Sequence, residues 1–252
     1  MKYIFGIIFG IVLSTTTFSQ EFGEEFFIKG NEAYHNGDYE QALLNYNQAL
    51  SNKFMPPELY FNLGNTYYSL GKLGAAIVNF RNAKINLPRD PELKINLDKA
   101  RYAVQNRVNF PPMPIFLKVL LIPLDYLGFY ELLWGLAFLT ALIAFLLIFV
   151  LFFDLNFIKS KIPLLLFAWI IIAAFSSSLL WKYYHHDVAV ICVEETPLFS
   201  GPADSYTQIA KLQDGCEVKI LDENNIWLKI EFFNNEKREV AWIKKADVLT
   251  IY

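Results

Sequence analysis

Slid along itself until Gly30 falls on Gly64, the N-terminal part of this chain meets its own pattern again. At that one offset Asn31 falls on Asn65, Tyr34 on Tyr68 and Gly37 on Gly71. Further on, Ala42 meets Ala76, Tyr46 meets Phe80 and Ala49 meets Ala83. A unit of this length cannot bury its apolar face alone, so the chain must stack copies side by side. Gly30 and Gly64 let the two helices of a hairpin approach closely, and Gly37-Asp38 and Gly71-Lys72 make the turn. The alanines leave room for Tyr46 and Phe80. Pro88 closes the second unit and Pro91 opens another helix. On that helix, over residues 91–108, Leu93, Leu97, Ala100 and Val104 share one face, which suits a cap on the open end of the array.

This spacing of small and aromatic residues resembles the tetratricopeptide (TPR) family. The reading is a TPR module over residues 20–108, with repeats at 23–56 and 57–90 and a capping helix at 91–108. The resemblance implies a concave groove lined by the first helix of each hairpin, here presenting Phe27, Asn31, Asn62, Asn65, Tyr68, Asn96 and Lys99 to a partner. Some TPR members clamp a C-terminal carboxylate with two asparagines and three cations. Asn31 and Asn62 fit the asparagine places, but Phe27, Glu92 and Asn96 hold the cation places. The charge-assisted bonds that supply such affinity are therefore missing. An amide-and-aromatic groove for a neutral partner segment is expected, beside the plainer reading of these asparagines as ordinary helix-surface groups.

From residue 188 the pattern changes to short alternating apolar runs between turn residues, which marks strands. The runs are 188–193, 217–221, 227–232 and 240–243, and about five strands in a small barrel are expected. The landmarks resemble the bacterial SH3 family. Leu198-Phe199-Ser200-Gly201-Pro202 looks like its first loop, and Leu212 to Gly215 with Val218 and Ile220 like its central strand. Ala241-Trp242-Ile243 stands close to its Gly-Trp-Ile ending. Trp227 and Trp242 are either a ligand face or core packing. Cys192 and Cys216 are either a disulfide or two buried thiols.

Between these regions, residues 132–153 and 162–181 are long apolar runs, about 33 Å and 30 Å as helices. They predict a transmembrane α-hairpin with a cytoplasmic loop at 154–161, where Lys159 and Lys161 favour the inside. Residues 109–131 would form a linker and an interfacial helix. Residues 1–19 read as a signal peptide, with Lys2 ahead of a short apolar stretch and small residues before Gln20. The expected fold class is a multidomain membrane protein: all-α TPR helical repeats, a transmembrane α-hairpin and a small all-β SH3-like barrel at 188–252. Both polar domains would then lie on the periplasmic side of the inner membrane.

The net charge of -3 argues against nucleic acid as a partner. His35 and the His185-His186-Asp187 run offer no third ligand, and no phosphate loop or nucleophile motif is present. No enzyme activity, cofactor or metal is therefore expected. The order of signal, repeats, hairpin and SH3 domain resembles the E-type protein family of the Bat aerotolerance operons. That resemblance implies a periplasmic scaffold assembling with von Willebrand A-domain membrane proteins of the same operon in envelope stress. A peptidoglycan-sensing protein and an accessory subunit of a membrane enzyme are the other readings.

Overall fold

The computed structural model describes residues 21–105, 114–115, 129–152, 163, 166–167, 169–170, 173–174, 177, 188–234 and 237–251. The chain divides into two compact units, one of Met1–Pro112 with Asp187–Ile251 and one of Met113–His186 with Tyr252.

In the first unit, α1 (residues 21–35) and α2 (Tyr39–Ser51) form one helical hairpin, and α3 (Pro57–Ser69) and α4 (Leu73–Asn86) form a second. A fifth helix, α5 (Pro91–Ala103), packs on α4. The starts follow from local chemistry. The Gln41 backbone N–H donates to Asp38 Oδ1 at 3.1 Å, and that of Leu93 donates to Asp90 Oδ1 at 2.9 Å. Each satisfies an N–H that the first helical turn leaves without a partner. Pro57 and Pro91 open α3 and α5, where a missing N–H costs nothing. Within each hairpin the crossing is close. A Cβ on Gly30 would stand 2.4 Å from the Tyr46 ring, and one on Gly64 2.5 Å from the Phe80 ring. Both rings are fully buried, each contributing about 1.5–3 kcal/mol of apolar burial. The helix expected over 91–108 ends at Ala103, because Val104 turns to extended backbone and buries its side chain.

The C-terminal part of the same unit is one antiparallel sheet of seven strands, where about five had been expected. They are β1 (Val188–Ile191), β2 (Glu195–Phe199), β3 (Gln208–Gln213), β4 (Glu217–Glu223), β5 (Trp227–Asn234), β6 (Lys237–Lys244) and β7 (Val248–Thr250), in the order β3-β2-β6-β5-β4-β1-β7. The sequence hides β2 because Pro197 reads as a strand breaker; here Pro197 sits opposite Lys211 of β3. It hides β7 because three residues are too few to show a period.

The helices and the sheet share a core. One contiguous cluster joins Phe80, Leu93, Leu97 and Val104 of the helical array to Ile191, Leu198, Leu228, Ile230 and Ile243 of the sheet. A smaller cluster around Tyr46, Leu59 and Leu63 holds the first hairpin to the second. The open end of a two-repeat array is thus closed by the sheet as well as by α5.

In the second unit, α6 (Phe129–Phe152) covers the first expected span. It starts before residue 132, so its first turn takes in Glu131. Trp134, Phe138, Phe145 and Ile148 are exposed along it. The expected transmembrane hairpin is overturned. A crossing needs about 20 consecutive apolar residues in one helix, and among the described residues no helix is long and apolar enough to cross a membrane. The all-α repeats and the β-sheet domain stand; the membrane hairpin is removed from the fold class. The expected signal peptide, the loop at 154–161 and the His185-His186-Asp187 run lie outside the described residues, as do most of the expected interfacial helix and of the second span.

Candidate partner-binding site

The inner helices α1, α3 and α5 meet through side-chain amides. Asn62 Nδ2 donates to Asn31 Oδ1 at 2.8 Å, and Asn96 Nδ2 donates to Asn65 Oδ1 at 2.9 Å. The Tyr46 hydroxyl also donates to Asn31 Oδ1, at 2.8 Å. Burial raises the pKa of that hydroxyl, so it remains a donor. Four of the expected groove residues are therefore joined in two pairs across neighbouring helices. Each pair uses one carbonyl oxygen and one amide nitrogen. Among the described residues this leaves Asn31 Nδ2, Asn62 Oδ1, Asn65 Nδ2 and Asn96 Oδ1 to take a ligand.

The other groove residues divide. Tyr68 and Lys99 are exposed on α3 and α5. Phe27 is half-buried, its ring centroid 6.1 Å from that of Tyr46 and 5.7 Å from that of Phe54, so it closes the floor of the first hairpin. The sequence also carried a residue not picked out above. Tyr102 follows Tyr68 at the same offset by which Tyr68 follows Tyr34, continues the tyrosine row on α5 and is 81% exposed.

On the sheet, Trp227 pairs with Lys244 and Lys229 with Trp242 across β5 and β6, which puts all four on one face. Lys244 Nζ lies 5.5 Å from the Trp227 ring centroid and Lys229 Nζ 6.0 Å from that of Trp242, both within cation–π range. Trp227 is also buried, edge-on to Phe199 with centroids 5.5 Å apart. It belongs to the packing, while Trp242 is half-buried and within reach of a ligand.

Nothing in the sequence marks the joint between array and sheet. Glu217 Oε1 of β4 accepts from Arg81 Nη1 of α4 at 3.0 Å and from Arg101 Nη2 of α5 at 2.9 Å. Asp214 Oδ1 accepts from the Gly74 backbone N–H at 3.0 Å. Burial raises the Asp214 pKa against three backbone hydrogen bonds, from Gly74, Leu73 and Gly215. A cavity of about 720 Å³ opens beside the joint, with Tyr67, Lys72, Cys192, Asp214 and Leu249 in its wall. Among the described residues neither cysteine is in a disulfide, and burial pushes the Cys192 pKa up to about 12, which disfavours the reactive thiolate.

An open helical groove and a small sheet domain on one core define a binding and scaffolding class of chain. Residues 30–71 match the family model described as TPR repeat, and residues 194–248 match the one described as bacterial SH3 domain. The chain thus combines two modules suited to protein–protein interaction. No curated protein matches it.

Proposed function

We propose that this chain is a periplasmic adaptor, not an enzyme, that holds an extended segment of a protein partner in its TPR groove. The observation that carries this is the asparagine ladder. Its paired amides leave alternate donors and acceptors along three adjacent helices, the pattern that the N–H and C=O groups of an extended main chain require. The resemblance to the E-type Bat proteins suggests von Willebrand A-domain membrane proteins as partners, in an aerotolerance or envelope-stress complex. The leader-like segment at 1–19 supports the periplasmic side. A photo-crosslinking residue at Tyr68, on the groove, is expected to trap a partner in cells, and the same residue at Gln48, exposed on α2, to trap none. Equal yields from both positions, or none from Tyr68, would overturn the reading.

The lysine-and-tryptophan face of the SH3 domain favours a second reading, in which that domain grips peptidoglycan. Aromatic rings suit sugar faces, and lysines suit the carboxylates of stem peptides. In that case the full chain pellets with purified cell wall and Trp242→Ala releases it. A wild-type chain that stays in the supernatant removes this reading.

A further inference from the structure

The inner helices share a second row beside the asparagines. Glu24, Glu58 and Glu92 recur at the repeat interval, one on each of α1, α3 and α5, and all three are exposed. On its own helix each lies two turns before Asn31, Asn65 or Lys99, on the same face. The amide bonds between α1 and α3 and between α3 and α5 identify that face as the one shared along the groove. The adjoining faces, at Gly30 and Gly64, turn instead to the outer helices at Tyr46 and Phe80. Three carboxylates therefore line one edge of the groove, against the single ammonium of Lys99 in these rows.

We propose that the groove selects a cationic extended segment, with a Lys or Arg at about every third residue. This rests on the reading of the groove as a peptide site and adds the charge and spacing of its ligand. Packed helices lie about 8–10 Å apart, so the carboxylates recur at roughly that interval. A polyproline-type chain advances about 3.1 Å per residue with three residues per turn, and so returns every third side chain to one face about 9 Å along. A β-strand would send the third side chain to the opposite face. The polyproline form also makes no internal hydrogen bonds, which leaves its carbonyls and N–H groups for the asparagine amides.

The test uses the purified full chain and fluorescent peptides of Pro-Pro-Lys, Pro-Pro-Gln or Pro-Pro-Glu triplets, followed by anisotropy at low salt. The lysine peptide is expected to bind about tenfold tighter than the glutamine peptide, the sum of three exposed ion pairs. The glutamate peptide should be weakest. The variant E24Q/E58Q/E92Q should erase the lysine advantage, and E40Q/E194Q/D222N, which removes the same charge elsewhere, should keep it. If both triple variants weaken binding equally, attraction to net charge explains it and the proposal is overturned. If the groove variant moves only the melting temperature, the glutamates serve their own helix N-termini, and the proposal is again overturned. Should all three peptides bind alike and Asn96→Ala weaken each, the groove reading stands and the cationic preference falls. If none binds while the Tyr68 crosslink still traps a partner, the ligand is not of this kind; with no crosslink either, both readings fall.

Discussion

Glu217→Gln is expected to lower the unfolding free energy by about 3 kcal/mol, because removing one partner of a poorly solvated ion cluster leaves the other charges uncompensated. The glutamate side chain is 17% exposed, and the two guanidiniums on its Oε1 are 17% exposed for Arg81 and 25% for Arg101. Glutamine keeps the shape but not the charge, and two cations then face one another between the helices and the sheet. Arg101 Nε is already buried there with no hydrogen-bond partner among the described residues, so the site has little spare solvation to offer. Chemical unfolding followed by circular dichroism reads the loss. A change under about 0.5 kcal/mol would mean that the cluster behaves as an ordinary surface pair and that apolar contacts alone hold the joint.

The same residue gives the joint a pH signature. Burial alone would raise the Glu217 pKa, but the charges and hydrogen bonds of Arg101 and Arg81 outweigh it and hold the group below its ordinary value of 4.5. A carboxylate with a depressed folded pKa contributes stability that is fully present above the unfolded pKa. That contribution is lost as pH falls through the folded one. The stability gap between wild type and Glu217→Gln should therefore be widest near neutral pH and close in acid, below about pH 4. A gap that persists unchanged into acid would show that the lost interaction is steric.

What could be read from the sequence was what repeats or alternates locally. The internal match set Gly30 on Gly64 and Tyr46 on Phe80, and the resemblance to TPR repeats put Asn31, Asn62, Asn65 and Asn96 on the groove-lining helices. It gave no means of seeing that they bond in pairs, since that depends on the rotation of each helix about its axis. The tryptophans could be picked out, but not which of them a ligand could reach. Glu217, Arg81 and Arg101 were invisible for a different reason. The arginines lie 136 and 116 residues from the glutamate in the chain, with no period linking them. The glutamate row was in plain view, yet a first-turn glutamate reads as a helix-dipole partner. It becomes a candidate edge only once three parallel helices are known to share a face.

Gly74→Ala is the sharper test of whether array and sheet form one body. A Cβ there would stand 2.0 Å from the Ile191 carbonyl oxygen, 2.5 Å from Asp214 Oδ1 and 3.0 Å from Cys192 Sγ. The carboxylate and the thiol could turn aside, but the carbonyl belongs to the β1 backbone and accepts from the Gly215 N–H at 2.9 Å. The sheet must therefore back away from α4. Overpacking of this kind costs about 1–3 kcal/mol. The Asp214 bond to the Gly74 N–H would lengthen with it, while alanine returns up to about 1 kcal/mol of helix propensity. A net loss of about 2 kcal/mol should lower the melting midpoint by roughly 4–8 °C for a unit of this size. The informative quantity is the coupling with Glu217→Gln. If α4 and the sheet separate as one contact, the first substitution has already opened the gap that the second would open. The double variant should then lose clearly less than the sum of the two. Additive losses would mean that the Gly74 contact and the Arg81–Glu217–Arg101 cluster yield independently, and the TPR groove and the SH3 face would then be free to move relative to one another.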